Sequence, residues 1–261
     1  MADMVTYETQ GKIALITLNR PEARNAVNGD VAVGMESAID QMEEDPNIWV
    51  GILLANTKGQ ERPVFCAGAD LKAINSGAAG TLNTKRGGFA GFVYRQRIKP
   101  VIAAVDGLAT AGGCEIVLAT DMAVATTRSA FGLAEATRNL IAGAGGLFRL
   151  PRAIGRAMAM EVILTGQPLP AQRAFELGLL NRLVEPGKEV ESALELAHRV
   201  CAAAPLAVWA SRKIVLAAAY ESDETLIEMT NQEFAKILRS EDTKEGLNAF
   251  IEKRPPKWTG H

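Results

Sequence analysis

Val101-Ile102-Ala103-Ala104-Val105, then Ala111-Gly112-Gly113-Cys114-Glu115-Ile116-Val117-Leu118-Ala119, then Asp121-Met122-Ala123-Val124-Ala125 form the stretch that decides the fold. The first run is short and wholly apolar, which predicts a strand covered on both faces. A glycine loop follows, the next run predicts a helix over 112–119, and the third returns as a strand. Strand, loop, helix and strand in that order predict α/β architecture built from repeating units.

Working outward, the same grammar recurs upstream. Residues 12–18 predict a strand closed by Asn19-Arg20-Pro21. Residues 28–44 carry Val31, Met35, Ile39 and Met42 at the spacing of one helix face, with Asn28 as the N-cap and Asp45-Pro46 as the stop. Trp49 to Ala55 is a second buried strand and leads to a glycine loop, Phe65-Cys66-Ala67-Gly68-Ala69-Asp70-Leu71. Residues 75–91 are rich in Gly, Ala, Asn and Thr and are expected to be mobile. Downstream of Gly155 the pattern turns helical, with candidates over 157–164, 171–177, 189–202, 206–219 and 224–238, punctuated by Pro170, Pro186 and Pro205. The alanine-rich helices have flat faces suited to packing on their own core or on a neighbouring subunit.

Composition narrows the function. The 261 residues are 48% hydrophobic and 22% charged, enough for one large domain or a domain with an appendage. A net charge of −2 argues against a nucleic-acid platform, which needs clustered positive charge. No apolar run approaches the ~20 residues of a membrane span. The opening Met-Ala-Asp-Met-Val-Thr has neither a basic nor an apolar leader region, and the three cysteines include no close pair, so the cytoplasm is the expected compartment. With only His198 and His261 available, a histidine-dependent hydrolase or a zinc site finds no support, and no metal is expected. His198 is expected on a helix surface.

The chemistry is carried by the two glycine loops and two carboxylates. Gly112-Gly113 near a helix start admits two readings: a tight turn or close helix–sheet packing, or a backbone left bare for a ligand atom at the helix N-terminus. Ala69, just after Gly68, offers an opposing N–H. Glu115, one turn into an otherwise apolar helix, is either a solvent-facing residue near the dipole or a carboxylate held in a cleft. Glu135 follows in Phe131-Gly132-Leu133-Ala134-Glu135. Asp70 and Asp121 read as groups that cap or bond a neighbouring turn. Cys114, without a histidine to activate it, reads as a small buried filler. Gly143-Ala144-Gly145-Gly146 lacks the Gly-Lys-Ser/Thr ending of a phosphate loop; opening a helix, it is expected to shape a pocket wall. Two amides facing one oxygen, with carboxylates beside them, suit enolate stabilisation and proton transfer next to it.

The order of these motifs resembles the crotonase superfamily, most closely enoyl-CoA hydratase. The motifs are Asn19-Arg20-Pro21-Glu22-Ala23-Arg24-Asn25-Ala26, the 65–71 and 111–115 loops, Phe131-Gly132 leading to Glu135, and Gly143 to Gly146. The resemblance runs from about residue 5 to Lys253-Arg254-Pro255. It implies an α/β fold, a spiral of ββα units followed by a helical C-terminal region. The core with the active site would cover 1–200, and residues 201–261 would serve oligomerisation and the CoA pocket. It implies a homotrimer or a hexamer of two trimers, fatty-acid β-oxidation as the setting, and acyl-CoA substrates with no cofactor beyond that coenzyme A. Carried over by position, the N–H groups of Ala69 and Gly112 form the oxyanion hole, and Glu115 and Glu135 are the catalytic pair. Arg24, Ala26, Ala67, Asp70, Leu71 and Lys72 join Ala69 and Gly112 along the CoA arm. Both glutamates together favour hydration of a trans-2-enoyl-CoA. Rival readings are Δ3,Δ2-enoyl isomerisation, a carnitinyl-CoA-type dehydration, and a non-catalytic acyl-CoA- or RNA-binding protein. The sequence departs from the family pattern at Ala134, where proline is common, and over Thr137 to Ala142, where a milder, proline-bearing stretch is usual.

Overall fold

The computed structural model describes residues 3–261; the first two residues of the 1–200 core and of the leader reading lie outside it. The chain begins with an antiparallel pair, Val5–Gln10 (β1) and Ile13–Leu18 (β2). Helix Gly29–Glu44 (α1) follows, capped by Asn28, whose side chain accepts from the Val31 N–H at 3.0 Å. Its predicted face, Val31, Met35, Ile39 and Met42, is buried. Strands Val50–Ala55 (β3) and Val64–Cys66 (β4) lead to the short helix Leu71–Asn75 (α2).

The stretch expected to be mobile instead has a defined path. A 3-10 turn over Ala79–Leu82 runs into a hairpin of Asn83–Thr84 (β5) and Gly88–Phe89 (β6). Glu36 of α1 accepts from the Arg86 guanidinium at 3.1 Å and from the Gly87 N–H at 3.2 Å. Leu82 and Phe89 are buried in the core. Two apolar anchors and one carboxylate fix a segment whose average composition is that of a loop.

Val101–Val105 (β7), Leu108–Thr110 (β8) and Gly112–Leu118 (α3) come next, then Met122–Thr126 (β9) and Ala130–Gly132 (β10). Helices Gly146–Ile154 (α4) and Arg156–Thr165 (α5) precede the short strand Leu169–Pro170 (β11), helix Ala171–Glu176 (α6) and strand Arg182–Val184 (β12). Helices Glu189–Cys201 (α7), Pro205–Ala217 (α8), Asp223–Ile237 (α9) and Glu241–Glu252 (α10) complete the described chain.

The strands form two principal sheets. One has the order β1-β2-β3-β7-β9-β12 and is parallel except for the β1–β2 pair. The other has the order β11-β10-β8-β4, with β4, β8 and β10 mutually parallel. Each turn of the chain gives one strand to each sheet and then a helix: β3 to β4 to α2, β7 to β8 to α3, β9 to β10 and on to α4. That is a spiral of ββα units. Phe65, Phe131, Leu18 and Met35 fill the main core. The outer face of the first sheet is covered by α7, whose Ala193 and Ala197 lie on Ile13, Val50, Ile52, Ile102 and Val124. His198 is exposed on α7, as expected.

No single described helix is long and apolar enough to cross a membrane; α7 and α8 pass that test only as a pair, bent by 107°. Helix α8 is tied to the spiral through charge. Arg212 of α8 donates to Asp121 at 2.8 Å and to the Arg97 carbonyl at 2.5 Å. Asp121 also accepts from the Val101 N–H at 2.8 Å, and the Arg97 guanidinium, only 5% exposed, lies 3.6 Å from it. Asp121, read as a group that caps or bonds a neighbouring turn, instead bonds the start of strand β7 and binds two arginines besides. Breaking such a buried arrangement from one side costs about 3–5 kcal/mol. Asp121→Ala is therefore expected to lower the chemical-denaturation midpoint by a corresponding amount, with Asp121→Asn recovering part of the loss by still accepting from Val101.

Candidate active site

The register of the second sheet assembles the site. Leu108 of β8 pairs with Val64 of β4 and Ala130 of β10, and Ala109 pairs with Cys66 and Phe131. The loops leaving these parallel strands therefore emerge along one edge: Gly68-Ala69, Ala111-Gly112 and Ala134-Glu135. Carboxyl ends of parallel strands are where open α/β sheets bind ligands.

The first loop is held by the Arg24 to Val27 stretch. Ala67 N–H donates to Arg24 O at 3.1 Å, Val27 N–H to Gly68 O at 2.8 Å, and Asp70 N–H to Val27 O at 2.8 Å. Between these bonds the Ala69 N–H finds no acceptor among the described residues, and neither does the Gly112 N–H at the start of α3. The two loops touch. A Cβ built on Gly68 would sit 2.9 Å from the Gly112 nitrogen, and Gly68 has a φ of +86°, so only glycine fits. Next to Gly112, Ala111 takes a φ of 51° and a ψ of −129°, pinned by its N–H to Gly132 O at 2.9 Å. A residue with a Cβ in such a conformation stores on the order of 1–3 kcal/mol, and strain of this kind concentrates at functional sites.

The close-packing reading of the glycine pair has a direct basis at both positions. A Cβ on Gly113 would lie 2.1 Å from Cys66 O, so residue 113 serves close packing of α3 on β4. A Cβ on Gly112 would lie 2.4 Å from the Phe89 ring, so residue 112 serves close packing of the 83–89 hairpin on the start of α3. Phe89 is a site neighbour that sequence reasoning missed, because the composition of its segment hid it.

Glu115 is held in a cleft. It is 3% exposed, and its Oε1 accepts from Ala144 N–H at 2.7 Å and Gly146 N–H at 2.8 Å. The glycine run expected to shape the pocket wall is thus the receptor for this carboxylate. Burial pushes Glu115 up from 4.5 to about 7, with the nearby charge of Glu135 adding to the rise and the Gly146 and Ala144 N–H groups and Arg149 opposing it. Glu135 begins a 3-10 turn, Glu135–Arg138, and burial raises its carboxyl as well. Its Oε2 is buried with no hydrogen-bond partner among the described residues. Cys114 is buried, and burial, then the charges of Glu115 and Glu135, push its thiol up, which fits a filler and not a nucleophile.

The remaining predicted residues fall on one rim. Arg24, Leu71 and Lys72 are exposed, Ala67 is half-buried and Ala26 buried. Arg24 and Lys72 make no ion pair among the described residues. Asp70 is occupied otherwise: its carboxylate meets Arg20 at 2.6 Å and caps α2 by accepting from the Lys72 N–H, so its part in the rim is to place Lys72 and Leu71. The Arg20 side chain holds its carboxyl below the usual carboxylate range, opposed in part by burial. Among the described residues no cluster of three or more His, Cys, Asp or Glu is arranged to hold a metal ion.

Two mainly parallel sheets wound as ββα turns, with two bare amides and two glutamates at one edge, define a crotonase-type fold. The family model described as enoyl-CoA hydratase/isomerase matches residues 8–261, and the chain belongs to that family. It is 35% identical over 254 residues to a short-chain-enoyl-CoA hydratase of Clostridium acetobutylicum, covering 96% of this chain and 95% of the relative. It is 37% identical over 265 residues to a carnitinyl-CoA dehydratase of Proteus mirabilis, with full coverage of both at 100%. The crystal structure of an enoyl-CoA hydratase from Mycobacterium tuberculosis H37Rv superposes with a TM-score of 0.93 at 44% identity, covering 100% of each chain.

The buried Glu115 carries a stability signature. Its folded value of about 7 lies above the ordinary 4.5. Below the lower value both states are protonated and nothing is lost. As pH rises through the window the unfolded chain ionises first, so folding stability falls, by at most about 3 kcal/mol once the folded group has also ionised. Glu115→Gln, which keeps an acceptor for both N–H groups, is expected to match the wild-type melting temperature near pH 4.5 and to exceed it increasingly up to pH 7. A constant difference across that range would contradict the burial of the charge.

Proposed function

We propose that this enzyme adds water across the double bond of a trans-2-enoyl-CoA thioester to give the 3-hydroxyacyl-CoA. The observation that carries the reading is a buried glutamate bound by two backbone N–H groups, beside a second half-buried glutamate and two unpartnered amides. The thioester oxygen would sit between the N–H groups of Ala69 and Gly112, where enolate charge develops. One such donor is worth about 2.7–4 kcal/mol of barrier.

The environments of the glutamates divide the work. Two N–H bonds on Oε1 favour the ionised form of Glu115, whereas the unpartnered Oε2 of Glu135 is tolerated better in a neutral carboxyl. Glu115 therefore takes a proton from water as its oxygen bonds to C3. The π electrons shift onto the thioester oxygen, and the enolate collapses by taking the Glu135 proton at C2. A proton passing from Glu115 back to Glu135 completes the turnover. This is acid–base chemistry that needs no group beyond coenzyme A. Arg24 and Lys72 offer charge to the CoA phosphates, and Ala26, Ala67 and Leu71 line the arm.

The helices from residue 201 onward are read as the oligomerisation and CoA-pocket region. They leave Val215, Tyr220, Phe234 and Phe250 exposed at 71%, 68%, 60% and 86%, an apolar surface suited to further copies of the chain. Light scattering on the purified protein is expected to give a trimer or hexamer mass, and a monomer would remove this part of the reading.

Dehydration of a carnitinyl-type thioester is the second reading, favoured by the likeness to carnitinyl-CoA dehydratases. It would use the same site in the opposite direction. Crotonyl-CoA, a longer 2-enoyl-CoA, a 3-enoyl-CoA and carnitinyl-CoA assayed side by side separate the possibilities, with hydration of 2-enoyl substrates expected to dominate. Glu115→Gln and Glu135→Gln are each expected to lower kcat by about 10²–10⁴-fold. Because Glu115 must be ionised, kcat/KM is expected to fall as pH drops through about 7. Wild-type turnover in both variants would defeat the assignment.

A further inference from the structure

The receptor for Glu115 is itself clamped from behind. The Tyr94 hydroxyl donates to Gly143 O at 2.9 Å. That carbonyl belongs to the same peptide unit as the Ala144 N–H, which donates to Glu115 Oε1 at 2.7 Å. The phenol, the peptide and the carboxylate form one chain of hydrogen bonds pointing the same way. Such chains polarise their members, so the Tyr94 bond strengthens the N–H that Glu115 receives.

The next peptide is held by Arg149 of α4. Its Nη1 donates to Ala144 O at 3.0 Å and its Nη2 to Val93 O at 2.6 Å, which bolts the 143–146 loop to the segment carrying Tyr94. The guanidinium stacks 5.6 Å from the Tyr94 ring centre and 5.2 Å from that of Phe148. Gly145 shows how closely the loop is fitted: its φ is +104°, and a Cβ there would lie 2.1 Å from Arg149 Nη1. Arg149 also acts on Glu115 through its charge, favouring the carboxylate.

We infer that Tyr94 and Arg149 are positioning residues that set the orientation and proton affinity of Glu115 through the Gly143–Gly146 peptides. Neither is required to touch the substrate. The kinetic part of this inference rests on the hydratase reading. The groups that bear on Glu115 are the Ala144 and Gly146 amides and Arg149 from the α4 side and Glu135 from the 3-10 turn; the Cys114 thiol on its own helix responds to the charge of Glu115.

Tyr94→Phe deletes only a hydroxyl on a ring that is 44% exposed, so the fold is expected to survive it. With crotonyl-CoA, its kcat is expected to fall about 3- to 10-fold, with KM within about twofold of wild type. Arg149→Met is expected to lose about 10- to 100-fold in kcat. In both, the acidic limb of kcat/KM is expected to move to higher pH by about half a unit or more, because the carboxylate has lost stabilisation. The same shift can be read without turnover, by comparing the melting temperature of Tyr94→Phe with that of Tyr94→Phe/Glu115→Gln across pH. The window over which the two diverge should end at a higher pH than in the wild-type background. An unmoved window, or a loss confined to KM, overturns the clamp whatever the activity. A moved window in a protein that hydrates no enoyl-CoA supports the clamp and overturns the hydratase reading alone.

Discussion

Glu115 Oε1 accepts two backbone N–H bonds inside a cleft that water barely reaches, and the rest of the site depends on that arrangement. A carboxylate buried in this way is opposed by desolvation and stabilised by its donors, and desolvation outweighs them, leaving it titrating close to neutrality instead of near 4.5. A group poised there can take a proton from water and release it again within one turnover. A stronger set of donors would leave it too weak a base, and a drier cleft without donors would leave it permanently neutral.

The donors lie in the glycine run between the 3-10 turn that follows β10 and α4. Gly145, in the left-handed region, turns the backbone so that the N–H groups on either side of it converge on one oxygen at the start of α4. Similar logic operates on the opposing wall. Gly68 lets the loop after β4 touch the start of α3, and Gly113 lets α3 approach the β4 backbone. Ala111 is held at a costly φ between them by its bond to Gly132, a residue of the neighbouring strand. Three successive turns of the spiral thus contribute to a single edge: an amide from the first, an amide and a glutamate from the second, a glutamate from the third. The parallel register of β4, β8 and β10 makes those contributions adjacent.

Much of this was legible from residues alone. The strands over 12–18, 49–55, 101–105 and 121–125, the helix capped by Asn28, and five downstream helices all announce themselves through apolar spacing and stop signals, and the structure has them within a residue or two. Other elements were silent for identifiable reasons. Strand β1 is half-exposed and polar, so it gave no apolar run. Strands β4, β8 and β10 have three residues each, too few to show a period, although they form the sheet on which the site is built. Helix α10 lies beyond the last apolar repeat that was read, although Ser240, whose hydroxyl accepts from the Thr243 N–H, marks its start. Tyr94 and Arg149 carry no motif at all; their role exists only through the carbonyls they reach.

The sequence by itself determined which residue types were available: glycines where no Cβ could stand, two acids at a helix start and a strand end, and too few histidines for other chemistry. It also determined the ββα rhythm, since apolar periodicity is a local property of the chain. Only the tertiary structure decided that Glu115 faces inward, that Asp70 answers Arg20 and caps a helix, and that a glycine-rich segment lies fixed over Gly112. Those outcomes turn on desolvation and on hydrogen bonds between residues tens of positions apart, and neither quantity is written in any short window of sequence.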